Sequence, residues 1–386
     1  MSAVAIDEMR PRLLTIDDVI TKVEKTEPLS VNPISQDSNI SFRFNRDWEE
    51  ELDHLHGTDT VGAFITVDGE EHQLTRDGVE QASANVNVTK KNLKTIPGHL
   101  MEQVLSHFYQ NLGETEYNML SVRGQASSFT RHRIVPFSNV RLIESVVEGI
   151  QKYYGQNTEI LADYKNTHSL TRTDIRFIVP EGQRAIQNGG LADVPHGQDD
   201  LWSTGISLTN SLSAKTPTAV ESYLFRWWCT NGATESLGSV GSWNRKSNGQ
   251  TEGVYDWARE SVDEVLGGME ARFQKVQKLT EIEMKGGNTG DVLKEIYSQY
   301  AVPVAQRDEI ASSLLSANAI TMYTIMAAIT QAANNPDLDP TRADRLLRVG
   351  GHIPSGIFDP ARAQVWREGN TSEPGSTNPY EIYTDN

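Results

Sequence analysis

The residues of this chain whose types and spacing could do chemistry are mostly basic. From Arg123 to Arg176, the cations Arg123, Arg131, Arg133, Arg141, Lys152, Lys165, Arg172 and Arg176 outnumber Glu144, Glu148, Glu159, Asp163 and Asp174. Phe129, Tyr153, Tyr154 and Tyr164 lie among them. Cations beside aromatic faces suit single-stranded nucleic acid, because phosphates need positive charge and unpaired bases can stack. The competing reading is an ordinary solvated face over core aromatics. Arg226 is a second candidate, set in the apolar run from Tyr223 to Cys229. A charge there needs a partner or a route to the surface. It either pairs with a carboxylate such as Glu221 or faces an anion. Cys229 is the single cysteine. A nucleophile needs a nearby base and partial exposure. Its place after Trp227 and Trp228 points instead to a buried, inert thiol.

Other chemistry is thinly represented. His54 and His56 lack further ligands near them in sequence, so no metal site is expected. Asp337 and Asp339 lack the distal glutamate of a calcium loop, and Asp339 reads as a helix cap. Gly286 to Gly290 is glycine-rich without a lysine, and reads as a link between helices. Phosphate-loop, dinucleotide, zinc-protease, nucleophile-elbow and paired-cysteine motifs are absent from the sequence. No cofactor is expected, and the chain reads more as a binding protein than as an enzyme.

The elements that must position these residues centre on Gly205 to Gly232. Gly205 to Asn210 alternates apolar and polar residues, as a half-buried strand does. Ser211 to Pro217 is a polar turn, and Asn231-Gly232 closes the apolar run that follows. Upstream, Thr15 caps a helix over 16–25, 29–38 reads as polar linker, and 41–44 as a strand anchored by Trp48. Thr60 to Val67, Asp68-Gly69 and Glu70 to Leu74 spell a hairpin with a type I′ turn. Helices are expected over 76–85, capped by Thr75, and over 96–112, after which 119–122 is a strand. Ser138 starts a helix over 140–154 whose Val140, Ile143, Val146, Val147 and Ile150 make one buried stripe. Strands are expected over 158–162 and 175–179, then a loop over 182–200. A flexible loop covers 239–250. One long helix runs from 253 to about 285, and shorter ones cover 291–300, 304–315, 320–333 and 341–349. Gly350-Gly351 should end the last of them.

These elements predict an α+β fold: a small antiparallel or mixed sheet with packed helices, followed by a helical C-terminal subdomain. The boundaries are a leader and short helix over 1–38, an α+β core over 39–250, helices over 251–352 and a disordered acidic tail over 353–386. The 386 residues can bury a real core, and the charge of −17 excludes a broadly basic nucleic-acid coat while leaving room for a local basic groove. A single cysteine, no signal-peptide pattern and no span-length apolar run point to a cytoplasmic protein without a membrane partner.

The central stretch also resembles a family borne by phages and plasmids, domain of unknown function 932. That family carries a strand ending in Asn-Ser, then an aromatic-Arg-x-x-Cys-Thr-Asn-Gly segment. Here these are Asn210-Ser211 and Phe225 to Gly232. Arg131 to Asn139 is similar to a family segment that ends in an asparagine before a helix. Ile320 to Thr330 is similar to its C-terminal threonine-containing helix. The resemblance spans roughly residues 58–350 and implies a mobile-element setting. The leading expectation is a DNA-metabolism protein that binds single-stranded DNA without sequence preference, as a homo-oligomeric annealing protein in recombination. Arg123, Arg131, Arg133, Lys165, Arg172 and Arg176 would form the groove. The alternative is a non-enzymatic structural or interaction protein of a phage, such as a virion or host-takeover factor.

Overall fold

A computed structural model of the chain describes residues 13–25, 27, 29–45, 48, 59–93, 95–131, 137–163, 172–187, 200–211, 217–227, 231–235, 242–243, 253–283, 297, 302, 304–317, 319–333, 335, 338 and 340–355. The fold is α+β, built on two separate sheets. The larger runs β1 (Leu14–Thr15), β8 (Leu161–Asp163), β9 (Arg172–Ile186), β10 (Asp200–Ser211), β11 (Thr218–Arg226) and β12 (Asn231–Glu235), with β13 (Ser242–Trp243) also on β11. All its pairings are antiparallel. The smaller runs β2 (Leu29–Ile34), β6 (Tyr117–Val122), β7 (Gln125–Arg131), β5 (Glu70–Thr75), β4 (Thr60–Val67) and β3 (Ile40–Phe44). In it only β5 and β7 pair in parallel, among the described residues.

The chain starts in the larger body, leaves it to build the smaller one and returns. Helix α1 (Ile16–Glu24) packs on α5 (Asn139–Tyr154), while everything from β2 to β7 lies between them in sequence. The smaller body has its own core, with Ile65, Leu74, Met101, Tyr109, Met119 and Phe129 among its members. Its helices are α2 (Arg76–Asn85), the short α3 (Lys90–Leu93) and α4 (Gly98–Gln110). The caps read from sequence hold: the hydroxyls of Thr15, Thr75 and Ser138 accept from the amides of Asp18, Gly78 and Arg141. Asp68 and Gly69 take φ of 51° and 92°, the left-handed pair that a type I′ turn needs. Trp48 is buried, edge-on to Phe44.

Helix α4 seals the edge of the smaller sheet. Ser106 Oγ and Glu102 Oε1 accept from the amides of Phe42 and Phe44, and Gln110 Nε2 donates to the Ile40 carbonyl. These are groups on edge strand β3 that would otherwise offer themselves to another chain. At the central strand β7, Gln81 of α2 accepts from the Phe129 amide at 2.9 Å.

In the larger body the C-terminal helices and one face of the sheet share an apolar cluster. The helices are α6 (Gly253–Gly267), α7 (Met269–Leu279), α8 (Val304–Leu315), α9 (Met322–Ala332) and α10 (Pro340–Ser355). Their Val262, Phe273, Ile310, Ile325 and Leu346 join Ile175, Ile206, Leu208 and Leu224 of the sheet in one apolar cluster. The opposite face of the sheet carries a second cluster, with Ile178, Tyr223, Phe225 and Trp227. Covered on both faces, residues 201–210 are buried throughout, where alternation predicts half-burial.

Some of the boundaries that differ from expectation do so for local reasons. Residues 29–34 are not linker but edge strand β2, a position that tolerates Pro33. β9 runs to Ile186, shortening the expected loop, whose residues 188–199 lie outside those described. The long helix breaks at Gly267-Gly268, where Arg272 Nη1 takes the Val265 carbonyl at 3.2 Å. α10 continues through Gly350-Gly351, because Gly350 serves packing: a Cβ there would lie 2.2 Å from Cγ2 of Thr330 on α9. The expected tail therefore loses its first residues, Ile353 being buried; 356–386 lie outside the described residues.

Candidate functional site

Two polar networks of the larger sheet lie at the two ends of the β10–β11 pair. At one end, Asp200 opens β10 and Arg226 closes β11. Arg226 Nε lies 2.9 and 2.7 Å from the two carboxylate oxygens of Asp200. The Tyr323 hydroxyl on α9 donates to Asp200 Oδ2 and accepts from Trp202 Nε1 at 2.9 Å. All four residues are 0–1% exposed. Burial holds the Tyr323 phenol well above the usual tyrosine range, and the Asp200 charge adds to the rise, so Tyr323 remains a donor.

At the other end, Asn210 Nδ2 donates to Asn139 Oδ1 at 2.6 Å, and Thr218 Oγ1 donates to Asn210 Oδ1 at 2.9 Å. Asn139 is the first residue of α5. Its amide and that of Val140 both donate to Glu27 Oε1, the second at 3.2 Å. A carboxylate at a helix N-terminus meets unsatisfied amides and the positive end of the dipole. Ser138 donates its own amide to the Tyr255 hydroxyl at 3.1 Å, and the Arg141 guanidinium stacks 4.0 Å over the Tyr255 ring.

The residues of the expected groove that the structure describes are placed as follows. Arg176 is buried on β9, with Nη1 3.7 Å from Asp163 Oδ2 and the guanidinium over the Tyr223 ring. It is taken up in the larger sheet, because β8 sets Asp163 opposite it in register. Arg123 and Arg131 are exposed, Arg123 in the turn between β6 and β7 of the smaller sheet and Arg131 at the far end of β7. That separation is roughly 25 Å at the ordinary rise of a strand. Arg172 opens β9 opposite Ser211. Arg133, Lys165, Cys229, His54 and His56 lie outside the described residues. Of the interleaved aromatics, Phe129 is core and Tyr154 is held by Thr204, while Tyr153 is 48% exposed. Arg226 is a structural ion pair, though not with Glu221, whose carboxylate takes two bonds of 2.8 and 2.7 Å from Arg348.

Sequence reasoning missed Asp200, Tyr323 and Glu27. The turn gave one usable signal: counting back from it puts Arg226 opposite Trp202, within reach of Asp200. For Tyr323 and Glu27 no local pattern existed, since each bond joins residues more than a hundred apart. The segments that carry the family resemblance do meet in space: Asn139 with Asn210, and Arg226 with Tyr323 through Asp200.

Among the described residues, no group of three His, Cys, Asp or Glu side chains is arranged to hold a metal ion. None of the described helices is long and apolar enough to cross a membrane. Comparison with protein-family models, with curated proteins and with solved structures finds no match.

Proposed function

We propose that this chain is a non-enzymatic interaction protein of a phage or plasmid. The observation behind this reading is the use made of the charged groups in the larger body. Asp200 with Arg226, Asp163 with Arg176 and Glu221 with Arg348 are turned toward one another, joining strand to strand and helix to sheet. Groups engaged in this way set architecture and are not poised for reaction. The mobile-element setting rests on the resemblance of the Asn210-Ser211 and Phe225-to-Gly232 segments.

One observation favours a second reading, single-stranded DNA binding by an oligomer. Arg123 and Arg131 are exposed and have no ion-pair partner among the described residues, unlike Arg43, Arg184 and Arg259. The test is mobility of the purified protein with labelled single- and double-stranded oligonucleotides, run beside sedimentation velocity. The interaction reading expects no shift at about 0.15 M salt and a stoichiometric protein complex after nuclease treatment of element-bearing cells. A shift specific to single strands, by a multimer, would replace it with the second reading.

A further inference from the structure

The smaller body is inserted between α1 and α5, and Glu27 stands where the chain crosses into it. We infer that Glu27 is a latch that fixes the direction in which the smaller body leaves the larger one. Glu27 sits on the turn after α1, its amide donating to the Glu24 carbonyl at 3.2 Å. Its side chain reaches across 112 residues to the first turn of α5, where the chain has just come back. Both crossings are thereby tied to one point. The next residue in sequence is Pro28, and β2 begins at Leu29. A proline leaves the chain a single φ well and keeps the residue before it extended. With Glu27 held, one residue separates the point tied to α5 from the start of β2. With Glu27 released, the whole turn from Lys25 becomes linker.

The anchor itself is well supported. Asn139 is tied through Asn210 to Thr218, and Ser138 through its amide to Tyr255, so the amides that Glu27 grips cannot follow it. The two bodies have separate apolar cores, so turning one against the other leaves either core intact. The direction of the joint sets where Arg123 and Arg131 face relative to the larger sheet. The latch is a property of the fold and stands whichever reading of the function holds.

The test is a distance distribution between spin labels on non-natural residues at the exposed positions 41 and 274, one in each body of the full-length chain. The parent should give one narrow distance. Glu27→Ala, and Glu27→Asp, which keeps the charge but shortens the reach, should at least double the width. Lys25→Ala, an exposed neighbour on the same turn, should leave it unchanged. Parental widths in both Glu27 variants would overturn the latch, as would equal broadening by Lys25→Ala. Loss of far-ultraviolet circular dichroism in Glu27→Ala would also overturn it, by making Glu27 part of what holds the larger body together.

Discussion

Arg226 faces Asp200 across 26 residues of chain, with Nε 2.9 and 2.7 Å from the two carboxylate oxygens and both side chains closed off from water. Removing one of the two strands a buried charge, which typically costs about 3–5 kcal/mol. Arg226→Met and Asp200→Leu should each lose about that much in urea unfolding. The double replacement should lose less than the sum, because it leaves no charge behind. Strictly additive losses would show that the pair is not coupled.

Tyr323 gives the same network a pH signature. Its phenol is raised above the tyrosine range of the unfolded chain, first by burial and then by Asp200. Above pH 10 the unfolded chain releases this proton and the folded one keeps it. Stability from this group is therefore complete below pH 10 and falls as pH rises, by about 1.4 kcal/mol per unit. Tyr323→Phe should show a shallower loss between pH 10 and 11 than the parent. At neutral pH it should be less stable by about 1–3 kcal/mol, since the Trp202 N–H loses its acceptor. Identical slopes in the alkaline range would contradict the burial of this hydroxyl.

Much of the fold was legible because it is local. Thr15, Thr75 and Ser138 each cap a helix a few residues on, and Asp68-Gly69 fixes a hairpin, so pattern alone finds them. Phe225 and Trp227 announced their burial by the apolar run around them. The insertion of the smaller body left no such mark, because it depends on β1 pairing with β8 across the whole smaller sheet. The placement of the charge cluster between Arg123 and Arg176 was hidden for a related reason. Proximity in sequence spread Arg131 and Arg176 over two sheets, and Asp163 neutralised the second. The gate between a groove and an ion pair is strand register, which composition does not carry.

The α4 seal on β3 can be opened at one residue. Glu102 Oε1 accepts from the Phe44 amide at 2.6 Å. Glu102→Ala leaves that edge amide without its acceptor, a loss of about 1–3 kcal/mol. Hydrogen exchange should speed up at Phe44 and far less at Phe42, which Ser106 still holds at 2.9 Å. The open edge should also raise self-association in sedimentation velocity. Unchanged exchange at Phe44 would remove Glu102 from the seal.

The arginines of the basic region should separate into two kinds. Arg176 is buried beside Asp163, so Arg176→Gln should lower stability by about 1–3 kcal/mol, as for a buried group left short of a partner. Arg123 and Arg131 are exposed, and replacing both with glutamine should change stability by no more than about 0.5 kcal/mol each. If the chain binds single strands, the order reverses in the binding assay. Each phosphate contact contributes about −0.7 to the slope of log affinity against log salt. Replacing Arg123 and Arg131 together should flatten that slope by up to about 1.4, equally for all base sequences. Arg176→Gln, assayed on its folded fraction, should leave the slope where it was. A flattened slope with Arg176→Gln alone would mean that this arginine leaves Asp163 to meet phosphate, and the structural role assigned to it would fall.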